Sequence, residues 1–370
     1  MVSNHQLPHP QLLGMKDTEK ALKEELSRNF KGHGQRLCMM SKLVLAVVKM
    51  CTVNFAQLAL VINPLVKKDS NFKRIQRFMK SYRFCQRCFV QFAWSFYGTQ
   101  GDWIVLSMDR TNWKFGRVNI NILTIGISWR GTAIPLVWML LDKRGQSNQS
   151  ERILLLEQLL DCLSLEQQGL IRYLLMDREF AAHNWLTHLR QKPFSFIIRI
   201  RKDAKVRKPG QMKEKHAWRL FQCPHFRVLR KPRVVFGHRL YLAGQRISDK
   251  EYLILISDQP LTHGAPLYGE RWGIEVFFGA IKSRGFNFED THLTKLERID
   301  TLIFVLAIAF IWAFKTGENL LAKGHQIPIK HLKKRKAKLV SIFRLGLDHI
   351  KYKLLNFLSV FLEIRLLSCT

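Results

Sequence analysis

Acidic residues are scarce in this chain of 370 residues. It holds 28 Asp and Glu against 60 Lys and Arg, which gives a formal net charge of +32. So many excess positive charges repel one another in the folded protein unless a polyanion screens them. The shortage of acids therefore favours binding to nucleic acid, where neutralised phosphates release counterions. A soluble protein with a merely basic surface is the simpler alternative.

Cysteines are few and scattered, and the start of the chain lacks an apolar segment. The seven cysteines are odd in number, and MVSNHQLPHPQ has no apolar h-region, so no secretory signal is expected. A reducing compartment is therefore expected. Cys85 and Cys88 form one CxxC pair, but no second pair lies at a usual spacing for structural zinc. We interpret them as buried or incidental thiols.

Long hydrophobic runs are also missing. The longest, TLIFVLAIAFIWAF, covers residues 301–314 and is flanked closely by Asp300 and Lys315. A membrane-spanning helix needs about 20 apolar residues. The run predicts a helix buried in the core of a protein without membrane spans. With 47% hydrophobic residues, the chain has ample material for such a core.

The amino-terminal quarter has a helical pattern. The first 35 or so residues are rich in Lys and Glu and predict a loose leader with one short helix. Apolar residues then recur at three- and four-residue steps as far as Trp94. Within FKRIQRFMKSYRF, basic residues stand at three-residue steps: Arg74, Arg77, Lys80 and Arg83. This pattern suits a helix lying against duplex DNA, and equally an ordinary amphipathic helix with a solvated basic face.

After this region the residue pattern becomes typical of β-strands. Strands are predicted at residues 103–108, 118–129, 132–141, 171–176 and 194–201, with helices at 151–163 and 183–190. Arg130 and Gly131 form the turn between the second and third strands. The order β-β-β-α-β-α-β is similar to that of a ribonuclease-H-like core, in an α/β fold. Residues 202–266 predict a mainly β insertion, and the chain returns to helix from Leu267.

Two acids occupy equivalent places. Asp109 follows WIVLSM and Asp177 follows IRYLLM, so each is expected to end a buried strand. Ligand sites in α/β sheets favour the carboxyl ends of strands. A single Asp after a strand is usually only a turn or helix-cap residue.

A third set of polar residues lies in YGERWGIEVFFGAIKSRG. At about 100° per residue, these residues share a stripe roughly 60° wide on a helix. The stripe consists of Tyr268, Arg271, Glu275 and Lys282. An amphipathic helix with an intrahelical Arg271–Glu275 pair is the simpler alternative. Metal-dependent phosphodiester cleavage uses hard cations, which prefer carboxylate ligands, and Asp109, Asp177 and Glu275 would supply three.

The stripe resembles the YREK signature, Y-x2-R-x3-E-x6-K, of cut-and-paste insertion-sequence transposases of the insertion-sequence-four group. These enzymes belong to the DDE, ribonuclease-H-like superfamily. MDRTNW resembles the family's first-acid motif and DREF its second. The acids are separated by 68 residues between Asp109 and Asp177 and by 98 between Asp177 and Glu275. The resemblance covers about residues 102–320, and the second gap leaves room for the β insertion of this group.

One position departs from the family pattern. Arg110 stands where many members have a second Asp directly after the first. In the family that second acid is considered less central to catalysis than the three matched acids. Asp102 and Glu179 lie outside the matched positions, and we interpret both as structural or solvated.

The resemblance implies an activity and its components. Such an enzyme binds the terminal inverted repeats of double-stranded DNA as a homodimer, cuts with two Mg²⁺ or Mn²⁺ ions and joins the ends to target DNA. Asp109, Asp177 and Glu275 would be catalytic residues and metal ligands, and Tyr268, Arg271 and Lys282 would hold DNA phosphates. A packing role and a DNA contact are equally expected for Trp272. Expected localisation is the prokaryotic cytoplasm, with the nucleoid.

A hairpin intermediate occurs in relatives and needs an aromatic surface for a flipped base. Trp218, Phe221 and Tyr241 are the candidates in the insertion. The implied domains are a helical DNA-binding region (1–95), a catalytic core in two parts (96–201 and 267–322), the β-rich insertion (202–266) and a basic helical tail (323–370). Within that tail, HLKKRKAK is either a basic cluster or a solvated helix face.

Three other readings stay open. A decayed or repurposed DNA-binding protein shares the charge but does not need the acids. A metal-dependent nuclease without strand transfer needs the acids but not the YREK stripe. A structural RNA-binding role explains only the charge.

Overall fold

A computed structural model describes residues 10–98, 101, 103–116, 118–332 and 335–368. The chain divides into two compact units, one made of the residues up to Phe92 with those from Gly279 onward, the other of Ala93–Phe278. The helices within the described residues are α1 (Pro10–Asn29), α2 (Gly34–Met50), α3 (Phe55–Val61), α4 (Lys68–Ser81), α5 (Gln86–Tyr97), α6 (Gln149–Cys162), α7 (Leu165–Gly169), α8 (His183–Leu189), α9 (Gly264–Gly269), α10 (Trp272–Ile281), α11 (Leu296–Ala322), α12 (Ile342–Leu355) and α13 (Phe361–Arg365). The strands there are β1 (Ile104–Phe115), β2 (Val118–Trp129), β3 (Thr132–Leu140), β4 (Ile171–Met176), β5 (Ser195–Arg199), β6 (Lys205–Arg207), β7 (Lys215–His216), β8 (Arg227–Val228), β9 (Arg233–Val235), β10 (His238–Arg246), β11 (Tyr252–Ser257), β12 (Ile329–Leu332) and β13 (Arg335–Lys338).

Helix α11 is the centre of the helical unit. It contacts α2, α4, α12 and α13, and every residue from Thr301 to Phe314 is buried. The predicted core helix is therefore confirmed. Its length and apolar character would also suit a membrane span, but 89% of its most apolar window is buried within the protein, as expected for a core helix. Helices α2 and α3 pass the same test only as one span bent by 105°. No membrane location is indicated.

The prediction of a loose leader with one short helix is wrong for the described residues. Helix α1 is 20 residues long and packs against α2. Leu22 and Leu26 are fully buried, one helical turn apart, and Phe30 just beyond the helix is buried too. The Lys- and Glu-rich composition reflects the solvated side of this helix, which hid its narrow apolar stripe.

Helix α4 has the predicted amphipathic character. Ile75, Phe78 and Met79 are buried, while Arg74 and Arg77 on the other side are exposed. This arrangement is common to both interpretations of the helix.

The other unit is built on one large sheet. Strands β1, β2 and β3 form an antiparallel meander, and β4 and β5 continue it in parallel on the side of β1. The predicted turn between β2 and β3 is present. Arg130 and Gly131 have φ angles of 46° and 80°, the left-handed conformation that a two-residue hairpin turn requires.

The stretch from Lys202 to Pro266 is rich in short strands, as predicted, and these strands extend the same sheet. Strand β11 pairs antiparallel with β5, and β10, β9, β6 and β7 follow in spatial order, while β8 pairs with β10. Apolar residues from both halves, including Leu175, Ile197 and Leu255, share one buried cluster. The described backbone of the basic segment 331–338 belongs to the β12–β13 strand pair, not to a helix.

Candidate active site

The parallel pairing of β1 with β4 brings the two aspartates together. Met108 lies opposite Met176 in the register, so Asp109 and Asp177 occupy the next position on neighbouring strands. Neighbouring strands lie about 4.8 Å apart. Asp177 directly follows the end of β4, as predicted.

The prediction that Asp109 ends its strand is wrong. Strand β1 continues to Phe115, and Asp109 itself lies opposite Thr124 of β2. The change from apolar to polar residues at Asp109 occurs because β4 ends there, not because β1 ends. Beyond this point, among the described residues, β1 pairs with β2 alone.

The stretch that carries the polar stripe is not one continuous helix. Helix α9 ends at Gly269 and α10 begins at Trp272, with backbone bonds of the i to i+3 type, such as Arg271 N to Tyr268 O at 3.1 Å, across the break. Helix α10 approaches the sheet closely at Gly273, where an added Cβ would lie 2.5 Å from the carbonyl carbon of Thr132. This close approach fixes the first turn of α10 at the edge of β3.

Arg271 connects two of the predicted carboxylates. Its Nη1 donates a hydrogen bond to Asp109 Oδ2 at 2.9 Å, and its Nη2 donates to Glu275 Oε1 at 2.5 Å. The residue is only 7% exposed. The intrahelical pair expected from the simpler interpretation is thus present, but the same guanidinium also reaches across to the sheet.

Tyr268 extends this chain of contacts to the third acid. Its hydroxyl donates a long hydrogen bond of 3.5 Å to Asp177 Oδ1, and the Arg271 guanidinium lies over its ring at 5.8 Å. Burial raises the pKa of the Tyr268 hydroxyl well above its usual range, so it remains a donor. Asp177, Tyr268, Arg271, Asp109 and Glu275 therefore form one connected group.

The electrostatics of this group leave negative charge in excess. Burial raises the pKa of Asp109 to about 6, because the lowering effects of Arg271 and the Arg110 backbone N–H do not fully offset it, and Glu179 and Glu275 push it further upward. Burial alone would lower the pKa of Arg271, but Tyr268, Asp109 and Glu275 hold it above its usual range. Arg271 stays charged, and the carboxylates around it would accept further positive charge.

The described residues contain no group of three or more His, Cys, Asp and Glu arranged closely enough to hold a metal ion. In this arrangement Arg271 lies between Asp109 and Glu275. The three carboxylates nevertheless offer the oxygen donors that hard cations prefer. The assignment of these residues as metal ligands stays a prediction.

Two other predicted residues lie on the same stretch. Trp272 is the first residue of α10 and is 61% exposed, so it is not part of the core. Lys282 falls in a turn just after α10 and belongs to the helical unit, where its Nζ lies 3.3 Å from Glu289 Oε1.

A pair beside the site was not predicted. Arg110 binds Glu179 through two hydrogen bonds, Nε to Oε1 at 3.3 Å and Nη2 to Oε2 at 3.2 Å. It also donates to Asn112 and Asn121. Glu179 is therefore the partner that neutralises Arg110. The sequence offered one signal for this pair: Arg110 in MDRTNW and Glu179 in DREF are both charged residues outside the matched family positions. Asp102 lies outside the described residues.

Comparison with known proteins adds a family match. Residues 132–312 match the family model of the transposase DDE domain, a stretch that includes Asp177 and Glu275 but begins after Asp109. The match supports a DDE transposase, which is a nucleotidyl-transfer enzyme acting on DNA. No curated protein matches the chain. The cryo-EM structure of a piggyBac transposase synaptic complex with hairpin DNA shares 12% identity over 96% of this chain and 81% of that chain, with a TM-score of 0.43. A TM-score below 0.5 does not establish a shared fold.

Proposed function

We propose that this chain, with a transposase DDE domain match over residues 132–312, is a cut-and-paste transposase of the insertion-sequence-four group. It would bind terminal inverted repeats, cleave at the ends with divalent metal and join the freed 3′ ends to target DNA. The observation that carries the proposal is the connected group of three acids, Tyr268 and Arg271. The family match and this geometry support the same activity independently.

The three carboxylates Asp109, Asp177 and Glu275 would hold two Mg²⁺ or Mn²⁺ ions. Such ions lower the pKa of the attacking water and stabilise the leaving oxygen. The carboxylates fix the positions at which the reacting oxygens are placed. Because they emerge from two neighbouring strands and one helix, their spacing depends on how α10 is docked against the sheet.

Arg271 would exchange partners during the reaction. Its two Nη groups hold Asp109 and Glu275, and a guanidinium binds phosphate with the same bidentate geometry. When a DNA phosphate enters, Arg271 would release the carboxylates and hold the phosphate. Tyr268 would donate a hydrogen bond next to Asp177, and Lys282 would contribute a point charge to the transposon end.

We also propose a ribonuclease-H-like catalytic core. Three antiparallel strands, two parallel strands beside the first and helices α6 and α8 between them support this architecture. Residues 96–201 and 267–322 would form its two parts, with the β-rich insertion of residues 202–266 between them.

The helical region of residues 1–95 would bind DNA. A cavity of about 1020 Å³ lies between α1, α2 and α4. Its basic lining consists of Lys23, Arg36, Lys42, Arg74 and Arg77. The solvated faces of three helices thus direct positive charge into one groove, which supports a role in holding the phosphate backbone.

Aromatic contacts with DNA would come from exposed rings. Trp272 is sufficiently exposed to stack on a base. Phe221 is 1% exposed and belongs to the core, which removes it as a receptor for a flipped base in a hairpin intermediate. Trp218 and Tyr241 are partly exposed and remain candidates.

The test is cleavage of end-labelled duplex carrying the element's own terminus, with Mg²⁺, Mn²⁺ or EDTA. Wild-type protein should nick the end only with metal, and Asp109→Ala should not cut. Glu275→Gln should bind the same duplex and cut none, whereas Glu270→Gln, the same change at an exposed acid five residues earlier, should cut at the wild-type rate.

Cleavage by Glu275→Gln at the wild-type rate would refute the assignment. Tight binding without cleavage in any metal would indicate a decayed or repurposed DNA-binding protein. Cleavage without joining of precut ends would indicate a nuclease. Sedimentation of the protein bound to terminus DNA tests the proposed homodimer. The proposed site of action is the prokaryotic cytoplasm.

A further inference from the structure

A second polar cleft lies in the sheet unit, outside the connected group of the candidate active site. Its volume is about 510 Å³, and it is open to solvent where strand β5 ends and strand β11 begins. Its walls come from the 3-10 helix after β4, the chain that leaves β5 and the turn that enters β11. The charged residues of its lining are Arg178, Arg199, Arg201, Lys202, Asp203, Lys250 and Glu251.

The charge of the cleft is mostly uncompensated. Five of its side chains are basic and two are acidic, a net charge of +3. Arg199 donates to Glu251 Oε1 at 3.2 Å, and this accounts for one acid. Within the part of the chain that the structure describes, Arg178, Arg201 and Lys250 are exposed and their side chains form no ion pair. Converging cations without partners are the usual footprint of a bound polyanion.

The cleft begins one strand away from Asp177. In the parallel register of β4 and β5, Met176 lies opposite Ile198, so Asp177 and Arg199 occupy the next position on neighbouring strands. Arg178 follows Asp177 directly in the sequence. A strand of DNA that passes the connected carboxylates would therefore meet basic side chains that begin on the neighbouring strand, whose backbone lies about 4.8 Å away.

An aromatic wall completes the cleft. Tyr252 lines it, and the ring of Trp218 lies 6.4 Å from the ring of Tyr252, with the Arg219 guanidinium over Trp218. Basic residues interleaved with aromatic rings are typical of surfaces that follow one strand of a nucleic acid.

We propose that this cleft binds the backbone phosphates of a DNA strand as it leaves the candidate active site. The inference rests on the proposed function, because it identifies the cleft's polyanion as the DNA on which that site acts. Arg201 and Lys250 would contact phosphates directly. Arg178 would hold the phosphate nearest to Asp177.

The test compares two double variants that remove the same charge. In Arg201→Ala/Lys250→Ala, both changes lie in the cleft. The control, Arg172→Ala/Lys231→Ala, removes two exposed basic side chains of the same unit. Arg172 lies at the opposite end of β4 from Asp177, and Lys231 lies in the loop before β9. Binding of a fluorescent duplex of arbitrary sequence is titrated in EDTA between about 50 and 200 mM salt.

Each phosphate contact contributes about 0.9 to the slope of log K against log salt. The cleft variant should therefore lose about 1.8 from the wild-type slope and bind at least tenfold more weakly at about 50 mM salt. The control should keep the wild-type slope. Equal slopes for the two double variants would overturn the proposal.

Folding is checked by thermal unfolding of both variants. If the cleft double variant does not fold, Arg201→Ala alone should lose about 0.9 from the slope, half the effect. The binding assay needs no cleavage, so the two proposals fail separately. If the slopes differ but no metal-dependent cutting occurs, the proposal of a DNA-binding cleft stands and the proposed transposase function is wrong. If cutting occurs and the slopes are equal, the transposase function stands and the cleft proposal is wrong.

Discussion

Arg271 is the single residue that most of the candidate site depends on. A planar guanidinium presents two Nη groups at fixed spacing, and in this protein each binds a different carboxylate. The residue is almost fully buried and the side chain of Asp109 is only 15% exposed, so water cannot fully replace Arg271 at Asp109, whereas the side chain of Glu275 is 35% exposed. Removing it would leave both carboxylates facing each other.

Arg271→Ala should therefore destabilise the protein strongly. Breaking a buried ion pair by removing one partner costs on the order of 3 kcal/mol. Arg246→Ala is the matched control, because Arg246 pairs with Asp249 on the surface, and such pairs contribute about 1 kcal/mol or less. Urea unfolding of the two variants measures the difference, and equal losses would contradict the structural role of Arg271.

The Arg110–Glu179 pair should show measurable coupling. Both side chains are less than a fifth exposed and share two hydrogen bonds. A double-mutant cycle of Arg110→Ala and Glu179→Ala should give a coupling energy of about 1 kcal/mol or more. The exposed Arg344–Asp348 pair should give only about 0.3–0.5 kcal/mol in the same measurement. Coupling no larger than in this surface pair would mean that Arg110 does not need Glu179.

At the scale of elements, strands were predictable where the residue pattern reports local burial. Val118–Trp129 and Ile171–Met176 have the predicted bounds because β-branched and apolar residues fill both faces of a covered sheet. The end of β1 was not predictable in this way. Residues after Asp109 become polar although the strand continues, since burial there depends on where β4 stops.

The helical stripe was predictable only in part. A regular wheel places Tyr268, Arg271, Glu275 and Lys282 on one side, but the break at residues 270–271 and the turn after Ile281 interrupt it. The pairing of Arg271 with Glu275 survives because it lies within four residues. Arg271 contacts Asp109 across 162 residues, and Tyr268 contacts Asp177 across 91 residues. Helical periodicity cannot predict contacts between residues so far apart in the sequence.

Gly273→Ala should disturb α10 as a whole. A methyl group there would lie 2.5–2.6 Å from the backbone of Thr132, and backbone cannot move aside as a flexible side chain can. We expect α10 to shift away from β3 and the proposed DNA cleavage to fall at least tenfold, as misplacement by about 1 Å does in enzymes generally. Gly269→Ala is the control, since nothing lies within 4 Å of its added Cβ. Equal activity of the two variants would contradict the close approach of α10.

The docking of α13 should depend on acidity. Burial raises the pKa of Glu363, but hydrogen bonds from Lys353, the backbone and His349 outweigh that effect and hold the pKa below its usual range. A lowered pKa in the folded state stabilises the protein above the unfolded value of about 4.3, and that contribution is lost as the pH falls through the folded value. The Trp312 indole N–H donates to the Glu363 carbonyl at 2.9 Å, so α13 is held against α11 at the same residue.

Thermal unfolding between about pH 6 and 3 tests this dependence. The melting temperature of the wild type should fall more steeply with acid than that of Glu363→Gln, which should already be less stable at pH 6. Glu24→Gln, at an exposed acid of α1 without an ion pair among the described residues, should keep the wild-type slope. Parallel curves for wild type and Glu363→Gln would exclude Glu363 as a source of acid sensitivity.

At the scale of the whole molecule, features that depend on local residue types were predictable from the sequence, and the pairing of strands distant in the sequence was not. The charge excess, the buried α11 and the β character of the insertion follow from residue types that act locally. The extension of the sheet through β5 and β11 joins Arg199 to Leu255, and short apolar strands do not encode which neighbour they choose. The basic cleft beside Asp177 depends on that choice, and so was not predictable either.

The net charge of +32 should make folding stability depend on ionic strength. Self-repulsion favours the unfolded chain at low salt, because the compact state holds the same charges closer together. Raising NaCl from about 20 to 300 mM, which shortens the screening length from roughly 20 to 6 Å, should raise the melting temperature. A duplex of arbitrary sequence should raise it at low salt by binding only the folded state, and this increase should disappear at high salt as counterion release weakens. A neutral dextran at the same mass concentration is the control and should leave the melting temperature nearly unchanged. If added salt lowered the melting temperature, surface ion pairs would outweigh repulsion, and the charge excess would no longer be an argument for a polyanionic partner.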